Sequence, residues 1–454
     1  MYIKNSDMEG TYPIKNPLIQ EKQMLPRVSL VKYQSDSASL KTAIQLCDGF
    51  AHLKQTDRVM IKPNLVAWEE RYPIAPFGVY TTTRLVEDLI ILLKDFGCQN
   101  ISIGEGSVQI QKGVGTMQAY AGLGYRELEK RYGVTLLDLN KSKTKKFVFH
   151  DDLSLHIAKD AVESDFLINF PVLKTHGQTK VSLGLKNLKG CLKLQSKKLC
   201  HHAQLDLEYC FSHIADFVKP ALTIVDGIYG LEKGALHFGK AYRKDLIIAS
   251  THILGADMVA AKTIGYDSVD IKHFEYYAKR HNQSLSLQDY EILGENLEEN
   301  ITPLKWDWAW TSDNTGPGIF QKFGVTGVAL PKYDDSLCSG CSPIANLANI
   351  LVLSAFKGQP LPKVEILNGK KMQARPGYAK TILLGNCIKK ANETNSNIQE
   401  AVEVIGCPPV MQDVVSALKA AGLDVNESVY HGYMKEQSEK YDGKEGFDKK
   451  FFQA

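Results

Sequence analysis

The chain has 454 residues, of which 44% are hydrophobic and 23% charged, a composition typical of a globular protein with two or three domains. Its net charge of +3 is too small to indicate a nucleic-acid-binding protein. The apolar runs fall short of the about eighteen residues that a membrane span needs. The opening residues lack the apolar core of a secretory signal, which predicts a cytoplasmic protein whose nine cysteines bind metal or stay free.

From residue 27 onward the sequence alternates between patterns typical of strands and of helices. Apolar residues at helical spacing predict helices over 37–47 and 82–96. Short apolar runs that stop at proline, glycine or polar residues predict strands over 28–33, 58–62, 101–103, 165–170, 222–225 and 246–249. This alternation predicts an α/β fold, with a mostly parallel sheet covered by helices on both faces and ligands at the carboxyl ends of its strands.

Changes in composition divide the chain into four segments. Residues 1–26 are predicted to be a leader, and residues 27–330 the main α/β domain, which closes with charged helices and a linker. Residues 331–430 are predicted to form a smaller α/β domain. Residues 431–454 have little capacity to form a core and are predicted to be a flexible charged tail.

The segment that follows the strand at 165–170 is strongly basic. Seven lysines fall between Lys174 and Lys198, and no acidic residue occurs between Asp165 and Asp206. A field of one sign beside glycines suits an anionic ligand such as a phosphate or a carboxylate. The alternative is a solvated basic loop, because most charge runs lie on the surface.

Candidate catalytic groups lie in this segment and at one earlier strand end. Lys62, Lys174 and Lys186 are predicted to hold an anion, since each follows a predicted strand or lies among glycines. His176 is predicted to act as a general acid or base, because the ordinary pKa of a histidine lies near neutrality.

Acidic and amide side chains accompany these lysines at the strand ends. Glu105 and Asp226 are predicted either to pair with the lysines or to bind a divalent ion, and the alternative is that they are buried partners of the lysines. Asn64 and Asn187 are predicted to orient backbone rather than substrate.

Five short motifs stand at these strand ends and in the basic segment, namely Lys62-Pro63-Asn64, Gly104-Glu105-Gly106, Lys174-Thr175-His176, Gly184-Leu185-Lys186-Asn187-Leu188-Lys189-Gly190 and Asp226-Gly227. As a set they resemble the domain-of-unknown-function family 362 over about residues 28–310. The resemblance implies an α/β fold and a frequent association with iron–sulfur modules. It implies no particular reaction, because the family as a whole has no settled one.

Four cysteines in the last quarter of the chain form the second candidate site. Cys338 and Cys341 share one turn, and Cys387 and Cys407 each follow a short apolar run that predicts a strand. Four thiolates that converge at strand-to-helix turns can hold an iron–sulfur cluster or a structural zinc ion. Zinc sites usually use two short cysteine pairs, whereas the third and fourth cysteines stand alone here, and this pattern favours iron–sulfur.

The motifs Cys338-Ser-Gly-Cys341, Gly385-Asn-Cys387 and Gly406-Cys407-Pro-Pro resemble the cluster-binding domain of nickel–iron hydrogenase small subunits and the related subunit of respiratory complex I. The resemblance covers about residues 327–425. It implies that the four cysteines ligate one 4Fe–4S cluster, although one of Cys338 and Cys341 does not ligate in every relative.

The other cysteines lack such an arrangement. Cys47 and Cys98 are predicted to be packing residues, and Cys191 and Cys200 border the basic segment. The pair His201-His202 is a weak metal candidate, because adjacent residues on one element rarely face the same ligand.

These patterns favour a cytoplasmic iron–sulfur oxidoreductase of an anaerobic-type redox system. It would act on an anionic small molecule with a redox partner such as a ferredoxin, and without nucleic acid or a membrane. One alternative is a non-catalytic electron carrier or maturation factor that docks on a larger enzyme. The other is a non-redox transferase or ligase with a structural metal, which is weakened in its ATP-dependent form by the absence of a Walker-type motif.

Overall fold

The computed structural model describes residues 25–34, 37–110, 113–151, 153–234, 236 and 238–454, so most of the predicted leader lies outside the described residues. The strands are β1 Arg27–Lys32, β2 Val59–Pro63, β3 Ile101–Glu105, β4 Thr135–Asp138, β5 Thr144–His150, β6 Leu153–Ala158, β7 Phe166–Phe170, β8 Val172–His176, β9 Lys180–Val181, β10 Leu222–Glu232, β11 Lys240–Ser250, β12 Glu291–Gly294, β13 Val328–Ala329, β14 Val364–Leu367, β15 Lys380–Leu384 and β16 Ala401–Val404.

The helices are α1 Ser37–Leu46, α2 Thr83–Phe96, α3 Thr116–Gly122, α4 Tyr125–Tyr132, α5 Lys159–Glu163, α6 Gly184–Asn187, α7 Leu194–Cys200, α8 Leu207–Ser212, α9 Ile214–Phe217, α10 Ile253–Thr263, α11 Lys272–His281, α12 Gly318–Phe323, α13 Ser342–Ala355, α14 Asn386–Ala391, α15 Met411–Ala420 and α16 Glu427–Glu439. None of those within the described ranges is long and apolar enough to cross a membrane.

A ten-stranded sheet forms the main unit, with the central order β12-β1-β11-β10-β7-β2-β3-β4. The neighbouring strands β7, β2, β3 and β4 are parallel to one another, and β8 pairs with β10 in parallel. Within this sheet, antiparallel pairing is confined to β11, which lies between β1 and β10, and to the short β9, which pairs with β8. The predicted α/β fold with a mostly parallel sheet is therefore confirmed.

Two hydrophobic cores lie on the two faces of this sheet, because successive side chains of a strand point to opposite faces. Ile61 of β2 contributes to the core under α1 to α4, whereas its neighbour Met60 contributes to the core under α6, α8, α10 and α11. The predicted strands and helices are confirmed within a few residues, except that β10 and β11 extend well beyond their predicted ends. Their polar and glycine-containing ends conceal these extensions in the sequence.

The cysteine-containing unit is a second α/β layer built on a small parallel sheet in the order β13-β14-β15-β16. Its core includes Leu351 of α13, Ile382 of β15 and Leu418 of α15, all of them buried. Phe320 of α12 belongs to this core as well. The unit therefore begins before residue 331, the start that the sequence predicts.

The C-terminal segment packs against the main unit instead of forming the flexible tail that the charge pattern predicts. Its aromatic residues Tyr441, Phe447 and Phe452 surround Phe77, with ring centroids 5.1 to 5.5 Å apart and nearly perpendicular planes. The prediction was wrong because these three aromatic side chains pack against the main unit, which the charged residues around them in the sequence do not indicate.

We expect Phe452→Ala to lower the free energy of unfolding by about 3 to 5 kcal/mol, because Phe452 is 3% exposed and its loss leaves a cavity against Phe77. Phe323→Ala is the matched control, since Phe323 is 54% exposed. Urea unfolding curves of both variants measure the difference. Equal, small losses in the two variants would contradict the packed position of the tail.

Candidate functional site

A buried ion pair lies at the carboxyl ends of the parallel strands β2 and β3. Lys62 Nζ is 2.8 Å from Glu105 Oε2, and both side chains are fully buried. The backbone N–H groups of Leu65 and Gly106 donate to the same carboxylate at 2.9 and 2.7 Å. A Cβ atom at Gly190 would collide with Glu105 and Lys62, so only glycine lets the basic segment lie directly on this pair.

Asn187 links this pair to the neighbouring polar groups. Its Oδ1 accepts hydrogen bonds from Lys62 Nζ at 3.3 Å and from Asn64 Nδ2 at 2.9 Å. Its Nδ2 donates to Asn169 Oδ1 at 2.8 Å. The two predicted asparagines therefore connect the buried lysines to one another, and they also reach Asn169, which the sequence analysis did not identify.

Lys174 continues this network from β8. Its ammonium donates to Asn64 Oδ1 at 2.6 Å and to Val79 O at 2.9 Å. Burial lowers the pKa of Lys174 to about 7, with a further lowering by Lys62 that attraction to Glu105 opposes. The lysine therefore titrates close to neutral pH.

Asp226 does not join these groups. Its carboxylate accepts from the backbone N–H of Thr82 at 2.6 Å and of Ile228 at 3.1 Å, and so holds the start of α2. Burial raises its pKa. Among the described residues, Asp226 therefore accepts from backbone N–H groups, whereas Glu105 pairs with a lysine.

Five residues beside this network form what we call the basic cluster: Lys174, His176, Lys186, Lys189 and His201. Burial lowers the pKa values of His176, Lys186 and His201 well below their ordinary values, and the neighbouring lysines add to the effect by repulsion. Lys174 and Lys186, two of the predicted anion-binding lysines, are thus close enough to repel each other.

Hydrogen bonds indicate which ring nitrogen carries the proton in the neutral forms of His176 and His201. His176 Nδ1 accepts from the backbone N–H of Gln178 at 3.1 Å, so the ring proton resides on Nε2. His201 Nδ1 donates to the carbonyl of Asp335 at 2.8 Å, and its Nε2 accepts from Lys189 Nζ at 2.6 Å. His202 instead accepts backbone N–H groups of Gln204 and Leu205 through Nδ1, so the two adjacent histidines do not share a ligand.

The four cysteines of the second unit, which we call the cysteine site, follow the carboxyl ends of strands of its parallel sheet. Cys338 and Cys341 share the turn that starts α13, where Cys341 N–H donates to Cys338 O at 3.0 Å. A hydrogen bond from the Cys341 thiol lowers the pKa of Cys338 and raises that of Cys341, and the thiols of Cys407 and Cys387 raise the latter further.

The loops that carry the last two cysteines are joined to each other. Asn386 N–H donates to Gly406 O at 3.1 Å, and Gly406 N–H donates to Asn386 Oδ1 at 2.9 Å. Gly385 and Gly406 have φ angles of 105° and 148°, a region that favours glycine. Across the described residues, no three His, Cys, Asp or Glu side chains are grouped closely enough to hold a single metal ion.

The other five cysteines, Cys47, Cys98, Cys191, Cys200 and Cys210, are all buried. Burial raises the pKa values of Cys191 and Cys210 to about 12, which leaves these thiols protonated and unreactive at neutral pH. They are therefore part of the hydrophobic packing.

The cysteine site faces the basic segment across the interface between the two units. Lys198 of α7 donates through Nζ to Cys407 Sγ at 3.3 Å. In the opposite direction, Lys370 of the second unit donates through Nζ to the backbone carbonyl of Lys198 at 3.0 Å. It donates to the backbone carbonyl of His201 as well. Asp335 connects the units again by accepting from Lys371 Nζ at 2.6 Å and from the N–H of Leu207 at 3.2 Å.

Four residues of this interface and of the basic cluster were not predicted as site residues: Lys189, Lys198, Lys370 and His201. Lys189 and Lys198 were visible as members of the basic run, and His201 as part of a weak metal candidate. Lys370 follows β14 in a loop without any local signal, since its partners lie about 170 residues away in the chain.

We expect Glu105→Gln to lower the free energy of unfolding by about 3 to 5 kcal/mol, because the change leaves the fully buried Lys62 ammonium without a countercharge. Asp165→Asn is the control, since its pair with Arg58 is exposed and is expected to contribute at most about 1 kcal/mol. Chemical unfolding measures both. Similar losses in the two variants would show that the buried pair is not the stabilising interaction.

Comparisons with known proteins bear on the resemblance to the domain-of-unknown-function family 362. Thylakoid-associated protein sll1697 of Synechocystis sp. is 26% identical over 260 residues, which are 55% of this chain and 77% of that protein. The lactate racemase apoprotein from Thermoanaerobacterium thermosaccharolyticum has a TM-score of 0.33 and 14% identity, over 51% of this chain and 56% of that chain. Residues 59–262 match the family Domain of unknown function (DUF362), which confirms the family resemblance for the segment that carries the buried ion pair and the basic cluster.

Proposed function

We propose that the protein is an iron–sulfur redox protein that acts on a small anionic molecule. In this proposal Cys338, Cys341, Cys387 and Cys407 hold one 4Fe–4S cluster, and the basic cluster binds the anion. The observation that carries it is the contact of 3.3 Å between Lys198 Nζ and Cys407 Sγ, which brings the basic segment against the cysteine site.

The donor set of the cysteine site suits an iron–sulfur cluster. The four cysteines follow strands of one small parallel sheet, and Gly385 and Gly406 allow the backbone to lie close to a bulky group. Burial raises the pKa of Cys387, and the positive charges of Lys370 and Lys198 oppose this rise. When bound, such a cluster supplies single-electron transfer.

The basic cluster suits a small anion for a complementary reason. Lys186 and Lys189 lie three residues apart on consecutive turns, so their side chains share one face. The Nε2–H of His176 is a neutral donor beside them, as its Nδ1 is occupied by the Gln178 N–H. A bound anion would offset the repulsion between these lysines, and His176 would hold the proton that the reaction requires.

An electron-carrier function is the second candidate, and the exposed rim of the cysteine site favours it. Cys387 and Cys407 are exposed, and Ile405 and Val410 beside them are 54% and 57% exposed. Apolar side chains around an accessible redox group suit a docked partner protein such as a ferredoxin. A protein that exchanges electrons with such a partner but turns over no small anion would be a carrier.

We expect Cys387→Ala to lose most of the bound iron and acid-labile sulfide of the anaerobically purified protein, because one of four proposed ligands is removed. Cys47→Ala is the matched control, since the buried Cys47 lies outside the cysteine site and is expected to leave both contents unchanged. Colorimetric iron and sulfide assays measure this. Full cluster content in Cys387→Ala would rule out the proposed ligand set, and zinc in place of iron would favour a structural site.

We expect Lys198→Gln to lower the reduction potential of the metal centre, because the change removes a positive charge and an N–H donor to a ligand sulfur. Lys193→Gln is the control, because Lys193 precedes α7, is exposed, and loses the same charge without touching Cys407. Spectroelectrochemical titration compares the two proteins with the wild type. Equal potentials in all three would contradict a functional contact between the basic segment and the cysteine site.

A further inference from the structure

The hairpin of β5 and β6 presents a basic face to solvent. Residues 141–149 contain four lysines and no acidic residue. Phe147 of β5 stacks on Phe217 with ring centroids 4.5 Å apart, so the side of the hairpin that carries Phe147 packs inward. Successive side chains of a strand point to opposite sides, which turns Lys146 and Val148 outward. Both are exposed, Val148 by 58%.

The second strand of the hairpin continues this outward face. His156 of β6 lies directly opposite Lys146 in the pairing of the two strands, and its side chain is exposed as well. The next lysine, Lys145, points to the inward side and pairs with Glu163 at 2.7 Å. The outward face of the hairpin therefore combines Lys146 and His156 with the apolar Val148.

Helix α7 joins the hairpin to the cysteine site. The N–H of Lys193, just before α7, donates to His156 O at 2.9 Å, and the N–H of His156 donates to Ser196 Oγ at 2.9 Å. Near the other end of α7, Lys198 Nζ lies 3.3 Å from Cys407 Sγ. Five residues of helix rise about 7.5 Å. One partner protein can therefore cover both places, because a standard interface occupies about 800 Å² of each protein.

The rim of the cysteine site adds exposed apolar groups without negative charge. Residues 382–392 and 404–412, which form the two loops with the exposed cysteines, contain no Asp or Glu. Ile405 and Val410 of the second loop are 54% and 57% exposed. Positive side chains around a small apolar patch are complementary to a protein surface that carries acidic residues.

A lipid surface fits this region less well than a protein does. The aromatic side chains of β5, which would be the strongest membrane anchors, face the main unit instead: Phe147 against Phe217 and Phe149 against His213. The few outward apolar side chains would bury little area in a bilayer.

We propose that the redox partner is an acidic electron-transfer protein, and that it binds to a docking face of six exposed residues: Lys146, Val148, His156, Lys193, Ile405 and Val410. Acidic side chains of the partner pair with the lysines, and the redox centre of the partner lies beside the exposed Cys407. This docking face rests on the proposed function, and it adds the surface and the charge of the partner.

The salt dependence of binding tests the docking face with the wild-type protein. An oxidised plant-type 2Fe–2S ferredoxin is the acidic probe, and isothermal titration calorimetry measures its Kd at low and at high NaCl concentration. We expect the Kd to rise at least about tenfold at high salt, because salt screens exposed charges. A Kd that salt leaves unchanged, or tighter binding of the basic protein cytochrome c, would overturn the proposal.

Charge reversal locates the surface on this chain. We expect Lys146→Glu and Lys193→Glu each to weaken the binding of the ferredoxin at low salt by at least about fivefold, because each change replaces an attraction by a repulsion. Lys41→Glu is the matched control, since Lys41 is exposed on α1, which packs on the opposite face of the main sheet from β6. Equal affinities of the three variants would contradict the docking face.

Two further measurements distinguish the possible failures. Iron and acid-labile sulfide are determined in the same samples. If the protein lacks iron but binds the ferredoxin through Lys146, the docking face holds and the proposed redox function fails. If the protein holds iron and sulfide but Lys146→Glu binds as tightly as the wild type, the docking face alone fails. Vesicles of phosphatidylcholine and phosphatidylglycerol that bind in place of the ferredoxin would assign the face to a membrane and overturn the protein partner.

Discussion

The buried ion pair between Lys62 and Glu105 is the interaction on which the rest of the site depends. A buried charge is tolerated only when it is paired and hydrogen-bonded, and here the carboxylate receives two backbone N–H groups besides the ammonium. Gly190 lies directly on this pair, so the basic segment is held at the end of the parallel strands. Asn187 and Asn64 then extend the network to Lys174.

This arrangement places several lysines in a region where Glu105 forms its buried ion pair with Lys62. The three lysines therefore differ: Lys62 pairs with Glu105, burial lowers the pKa of Lys174 to about 7, and burial lowers the pKa of Lys186 well below its ordinary value. The positive field also reaches the second unit, where Lys198 contacts Cys407. The two candidate sites are therefore neighbours, and a change of charge at either one is expected to affect the other.

The sequence allowed the strand ends to be predicted because each strand stops at a proline, glycine or polar residue. Lys62, Asn64, Glu105 and Lys174 were predicted from such strand ends, since parallel strands bring their carboxyl ends to one edge of the sheet. Asp226 followed the same rule but turns to the backbone at the start of α2, which depends on helix packing that no local pattern encodes.

Contacts between the two units could not be predicted from local patterns. Lys370 and His201 are about 170 residues apart, and their hydrogen bond exists only because the cysteine-containing unit docks on α7. The same holds for the C-terminal aromatic residues, whose charged neighbours indicate solvent exposure although the rings pack around Phe77. In both cases tertiary packing overrides the preference that the local composition indicates.

The most direct test of this account is the visible absorption spectrum of the protein purified without oxygen, recorded before and after the addition of dithionite. The account predicts a broad visible band from sulfur-to-iron charge transfer that bleaches on reduction. A colourless protein that contains zinc or no metal, and whose spectrum dithionite leaves unchanged, would contradict the redox assignment of the cysteine site.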